Sequence, residues 1–213
     1  MKESCYPLAF KLKKLFTKSL LFLTGIRCSV KKEADLKSDV PYVFCANHTS
    51  YFDIVLSYRI IPYFFLSMGK YELSKVPIFN IFFKKMNILV DRGSKISSHR
   101  AFIRAGQEIE KGYSIVLFPE GGILRRSIPE LHRFKNGPFK LAIEKQVPIV
   151  PITFLNNWKI FPHGDDIKKY GGPAVAHAVI HKPIETKGMS DEDMVDLREH
   201  VFNIIDKTLK ENE

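Results

Sequence analysis

The chain has 213 residues of which 45% are hydrophobic, enough apolar material for one domain with a proper core, and the length argues against two full domains. Its 33 Lys and Arg stand against 23 Asp and Glu, and the net charge of +10 draws anionic partners such as nucleic acid, an acidic carrier or an anionic bilayer. Three cysteines (Cys5, Cys28, Cys45) at no paired or metal-ligand spacing fit reduced thiols in a cytoplasmic protein and not a disulfide framework.

The first predicted element is a helix within LAFKLKKLFTKSLLFLTGIR. Leu8, Leu12, Leu15, Phe16, Leu20 and Leu23 share one arc of the wheel, and Lys11, Lys14 and Lys18 share another. That is a basic amphipathic helix, predicted to associate with an anionic membrane surface. Phe10, Leu21 and Phe22 interrupt its polar face, and docking on the protein's own core is the alternative. No run reaches the ~18 to 20 uncharged apolar residues that cross a bilayer. Residues 1–30 are therefore taken as an N-terminal membrane-interface segment, and 31–213 as the main domain.

After Val30 comes a charged connector, KKEADLKSD. Short apolar runs then alternate with helical stretches, a pattern that predicts an α/β fold: a single domain with a mixed, largely parallel sheet flanked by helices. Strands are expected near 42–45, 64–68, 88–91, 114–118, 149–154 and 175–181, and helices near 51–60, 74–85, 98–111 and 139–145. A last helix follows Ser190 as N-cap, with Asp193 three residues on.

In such a sheet, ligand groups gather beyond the carboxyl ends of strands. NHTSYFD follows the first of these predicted strands. Ser50 and Asp53 read as a capping box, which leaves His48 unexplained. An Asp53 carboxylate can accept a hydrogen bond from one imidazole nitrogen and leave the other free as a base. The nucleophile then comes from the substrate, an alcohol deprotonated by His48 as it attacks an acyl carbonyl. Thr49 and Ser50 lack the Gly-x-Ser-x-Gly elbow of a protein nucleophile. Zinc needs three ligands at a spacing that the scattered histidines do not supply.

FPEGG ends another strand with Glu120 and two glycines that let backbone N–H groups approach an anion, a pattern that is also an ordinary turn. Arg92 lies just past a third strand, where its planar fork suits a phosphate. No nucleic-acid recognition motif accompanies the charge, so nucleic acid is not an expected partner.

Taken together these blocks resemble the lysophospholipid acyltransferase family, and in particular 1-acylglycerol-3-phosphate acyltransferases of the bacterial type. They are His48 to Asp53, MNILVDRGS at 86–94, FPEG at 118–121 and VPIVPITF at 147–154. The resemblance implies that His48 is the general base and Asp53 its orienting partner, that Arg92, Glu120 and Gly121 hold the acceptor's glycerol phosphate, and that the proline block shapes the site and its acyl channel. Lys135 matches a basic position near that phosphate. The family usually continues FPEG with Thr or Ser and then Arg-Ser; here Gly122 takes that place and Arg125 and Arg126 arrive later, so they are expected to replace part of the contact. The implied reaction passes an acyl chain from acyl-CoA or acyl carrier protein to a lysophospholipid, without metal or cofactor, at the cytoplasmic face of the cell membrane. A thioesterase and a non-catalytic lipid-binding protein are the alternatives.

Overall fold

The computed structural model describes residues 6–70, 87–91, 93–123, 128, 130–162 and 173–212. In chain order these form α1 (Tyr6–Leu23), β1 (Ile26–Lys32), β2 (Val43–Ala46), α2 (Phe52–Ile60), β3 (Phe65–Lys70), β4 (Asn87–Val90), α3 (Lys95–Glu110), β5 (Ser114–Leu117), α4 (Gly137–Lys145), β6 (Ile149–Phe154), a short α5 (Asn157–Ile160), β7 (Ala174–Ile180) and α6 (Met194–Lys210). The helix expected at 74–85 lies outside the described residues.

The seven strands form one sheet in the order β1-β7-β6-β2-β5-β3-β4. Every pair is parallel except β6 with β7, so the sheet is mixed and largely parallel, as the alternating pattern predicts. The central strand β2 is buried on both faces. Phe44 and Ala46 point into one core with α1 and α2, while Val43 and Cys45 point into the other with α3, α4 and α6, and this two-sided burial is why VFCA reads as a continuous apolar run. Ser190 and Asp193 form the expected capping box, which starts a 3-10 turn over Asp191–Asp193 that leads directly into α6.

The N-terminal segment differs from its prediction in two ways. α1 ends at Leu23 and not near residue 30, because Gly25 takes a left-handed φ of 68° that breaks the helix. The next seven residues are a strand: Ile26, Cys28 and Val30 turn toward the core while Arg27, Ser29 and Lys31 face outward, and the strand pairs with β7 along its length. Lys31 and Lys32 thus belong to the sheet and not to the charged connector.

The second difference is that α1 is seated on the core, through a face other than the Leu-rich arc. Tyr6, Ala9, Phe10, Thr17 and Leu21 are buried, and Phe10 packs edge-on against Phe64 and Phe65. The arc picked out in the sequence points away, with Leu8, Leu12, Leu15, Phe16 and Leu23 between 50% and 81% exposed and Leu20 half-buried; Phe22, beside it, is 83% exposed. Of the three residues that interrupt the polar face, Phe10 and Leu21 dock the helix and Phe22 faces outward. Phe10→Ala should therefore cost about 3 to 5 kcal/mol of stability, whereas Phe22→Ala should stay within about 0.5 kcal/mol of the parent. Urea unfolding of the two variants checks this, and equal losses would mean α1 is not seated through Phe10.

Candidate active site

β2 delivers the chain to the carboxyl edge of the sheet, and Asn47 carries the pairing one step further with its side chain. Its amide accepts from the Phe154 N–H (2.8 Å) and donates to the Phe154 carbonyl (2.9 Å), which fixes the following loop to the end of β6.

His48 comes next, and α2 opens so that Asp53 sits in its first turn, fully buried. Asp53 Oδ2 accepts from the Thr49 N–H (2.8 Å), the Ser50 N–H (2.9 Å) and His48 Nδ1 (3.0 Å). Its other oxygen accepts from Asn157 Nδ2 at 2.7 Å. Four donors fill the carboxylate's acceptor positions, so the proton shared with His48 belongs on Nδ1. Nε2 is left with a lone pair, a tautomer assigned from the network of partners. Capping and imidazole orientation are one arrangement: Asp53 reaches back to the Ser50 N–H, and Ser50 Oγ accepts from the Phe52 N–H (3.0 Å) while donating to the Phe161 carbonyl (2.6 Å). The Ser50 hydroxyl is thereby engaged in structure.

The imidazole of His48 stacks on Phe118, with centroids 4.0 Å apart and planes 21° apart. Behind it stands Glu120, whose Oε1 accepts from the His48 N–H (2.7 Å) and Oε2 from the His132 N–H (3.2 Å). Burial pushes this carboxyl up to about 7, against the pull of those two N–H groups and with a further push from Asp53. Gly121 turns the chain at a φ of 84°, and a Cβ there would stand 2.5 Å from Lys135 Nζ. Only glycine lets the lysine cross so close. Next to this corner lies a cavity of about 240 Å³, walled by Met68, Val90, Phe102 and Leu141 with Phe118 and Lys135 at its edge. Among the described residues, no three His, Cys, Asp or Glu side chains stand close enough to hold a metal ion.

An imidazole oriented by a buried carboxylate, an apolar cavity and a cation at one crevice form a set fit for moving an acyl chain between oxygen or sulfur centres. Comparison with known proteins agrees: the family model described as Acyltransferase matches residues 27–155. The chain belongs to this acyltransferase family. A 1-acyl-sn-glycerol-3-phosphate acyltransferase of Haemophilus influenzae is 28% identical over 200 residues, 89% of this chain and 77% of its own length. The chloroplastic LPAT1 of Arabidopsis thaliana, of the same name, is 34% identical over 69% of this chain and 40% of its own. This acyltransferase thus spans well under two thirds of several curated relatives it matches, including 42% of the chloroplastic BAT2 of Brassica napus. In fold, the crystal structure of the 1-acyl-sn-glycerophosphate acyltransferase PlsC from Thermotoga maritima superposes with a TM-score of 0.81 over 98% of this chain and 81% of that one, at 22% identity.

Of the residues singled out in the acyltransferase sequence, His48, Asp53, Glu120, Gly121 and Lys135 come together at the carboxyl ends of β2 and β5. Arg92, Arg125 and Arg126 lie outside the described residues. β4, which precedes Arg92, ends three strands from β2 on the same edge, about 14 Å away at the usual strand spacing. Three members were not foreseen: Asn47, Asn157 and Phe118 as a stacking partner. Asn157 lies 104 residues from Asp53, and NNW carries no spacing signal that ties it to the earlier block. Replacing it by Leu keeps the volume but removes a donor to a buried carboxylate, a loss expected to lower stability by about 1 to 3 kcal/mol. Chemical denaturation of Asn157→Leu checks this, and an unchanged midpoint would mean that Asp53 is held without it.

Proposed function

We propose that this acyltransferase passes an acyl chain from an acyl thioester, acyl-CoA or acyl carrier protein, to the sn-2 hydroxyl of 1-acylglycerol-3-phosphate, giving phosphatidate. The observation that carries this reading is the free Nε2 of His48, held by an Asp53 whose acceptor positions are all filled. The acceptor's hydroxyl gives its proton to Nε2 as its oxygen attacks the thioester carbonyl. The tetrahedral intermediate then collapses, the C–S bond breaks, and the imidazolium returns the proton to the leaving sulfur, so His48 ends as it began. Asp53 supports the cation that forms in between. The relatives named for this reaction support the choice of acceptor. Lys135 beside Gly121, with Arg92, Arg125 and Arg126, supplies positive charge for its phosphate, Glu120 fixes the backbone of His48 opposite, and the 240 Å³ cavity takes the first stretch of an acyl chain.

His48→Ala should lower transfer by roughly 100- to 10,000-fold with the fold intact. Asp53→Asn should also be severely impaired yet folded, because the buried Asn157 can turn its amide over and offer Oδ1, which has no partner now, to the new NH2. The assay is purified protein with lysophosphatidate or an uncharged monoacylglycerol and each donor, products resolved by mass. Half of parental turnover in His48→Ala would overturn the base assignment, and acyl-CoA hydrolysis without acceptor would make the protein a thioesterase.

The outward apolar face of α1 and its flanking lysines suit a peripheral seat on an anionic membrane at the cytoplasmic face, where the free thiols of Cys28 and Cys45 stay reduced. No helix among the described residues is long and apolar enough to cross a membrane. Burying one such side chain is worth ~1.5 to 3 kcal/mol, so the double variant Leu15→Ser, Phe22→Ser should lose about tenfold or more in vesicle partition and keep its turnover of a dispersed short-chain substrate. Unchanged co-sedimentation with anionic vesicles would remove this face from membrane binding.

A further inference from the structure

At 100° per residue, Tyr6, Ala9, Phe10, Thr17 and Leu21 form the stripe of α1 that meets the core, and Lys13 falls in the middle of that stripe. A lysine there is a cost unless something answers its charge. Its Nζ donates to Tyr58 Oη at 3.0 Å and lies 5.0 Å over the ring, which uses one of three N–H donors. No acidic side chain pairs with it among the described residues, and burial pushes its ammonium down to about 8. Lys14, one residue on, donates to the Pro62 carbonyl and feels Arg59 as well as burial, so the neighbourhood is positive.

Beside Lys13 is a crevice of about 380 Å³ between α1 and α2, within the range of small-molecule sites. Leu12, Phe16, Ile54 and Val55 give it apolar walls, and its polar floor, Ser67 and Asn87, is satisfied internally by a 2.8 Å hydrogen bond. Leu12 and Phe16 are 50% and 61% exposed, so the crevice meets the outward apolar face of α1. The walls Met68, Val90, Phe102 and Leu141 of the cavity next to Gly121 belong to the other core, on the opposite side of the sheet.

We propose that this crevice is a second lipid site, which takes one anionic single-chain amphiphile with its alkyl tail between α1 and α2 and its headgroup on Lys13. An apolar slot fits an alkyl chain, and a lone cation on its wall fits a carboxylate or phosphate monoester at the chain's end. A neutral headgroup would leave the ammonium without a counter-charge. The site is separate from the cavity of the acyl-transfer reading, with which its lining shares no residue.

The test is a fluorescence titration with cis-parinaric acid, with dodecyl phosphate and dodecanol as competitors, on the parent, Lys13→Met, Val55→Trp and Ser98→Trp, each checked for fold by circular dichroism. Lys13→Met keeps the apolar stem and removes the charge. It should weaken both anions by about 10- to 150-fold, the worth of one charge-assisted hydrogen bond, and leave dodecanol unchanged. Val55→Trp should fill the crevice and remove the Lys13-dependent binding, whereas Ser98→Trp, in the cavity on the far face, should not. Which anion binds more tightly to the parent identifies the headgroup as carboxylate or phosphate. Equal affinity for dodecanol and the anions, an unaltered Lys13→Met, or loss in Ser98→Trp with retention in Val55→Trp would each overturn the proposal. Repeating the titration in His48→Ala, where the expected affinity is parental, keeps the result separate from the outcome of the acyl-transfer assay.

Discussion

Everything at the carboxyl edge of this sheet is arranged around the carboxylate of Asp53. It is fully buried, and a buried charge is tolerated only when its hydrogen-bonding positions are filled. Three of its donors come from the seven-residue loop that ends β2 and the fourth from α5, more than a hundred residues later. One side chain thus starts α2, sets the ring of His48 and ties in the segment after β6. Asn47 makes the complementary tie from the loop to the Phe154 backbone. The loop is held at both ends, so the imidazole has little freedom to turn away from its partner.

Much of this was legible in the sequence because the signals were local. A strand buried on both faces is a continuous apolar run, and the six strands and the helices read that way match the structure within a few residues wherever it describes them. The spacing of His48 and Asp53 could be interpreted because a loop followed by one helical turn brings the two side chains together. Asn157 was illegible because only the crossing of β6 back to β2 brings it near, and no single-sequence pattern encodes that contact. β1 was misread for a different reason. Ile26, Cys28 and Val30 alternate with polar residues, which is a strand signal, but the preceding Leu-rich stretch made a helical period the easier reading across Gly25.

α1 shows how a wheel can be right about composition and silent about direction. It has three faces: an aromatic stripe bound to the core, a basic edge and an outward apolar arc. Hydrophobicity alone favours the Leu-rich arc as the docking face. What decided otherwise is aromatic packing, since Tyr6 stacks on Phe64 and Phe10 meets Phe64, Phe65 and Tyr58 at 5.4 to 5.9 Å. Rings bury more area per residue than leucines and add favourable edge contacts, which leaves the leucines available for another surface.

Glu120 carries a thermodynamic consequence of its place behind His48. Its carboxyl is raised from the ordinary 4.5 to about 7, so between these values the folded chain holds a proton that the unfolded chain has released. By linkage, stability falls as pH rises through that window and stays at the lower level above it. At neutral pH and beyond, the fold keeps a residue that works against its own persistence. What holds the carboxylate in place despite its burial is the pair of N–H groups it accepts from, one of them that of His48, so the backbone of the histidine and the charge behind it are kept by the same two hydrogen bonds.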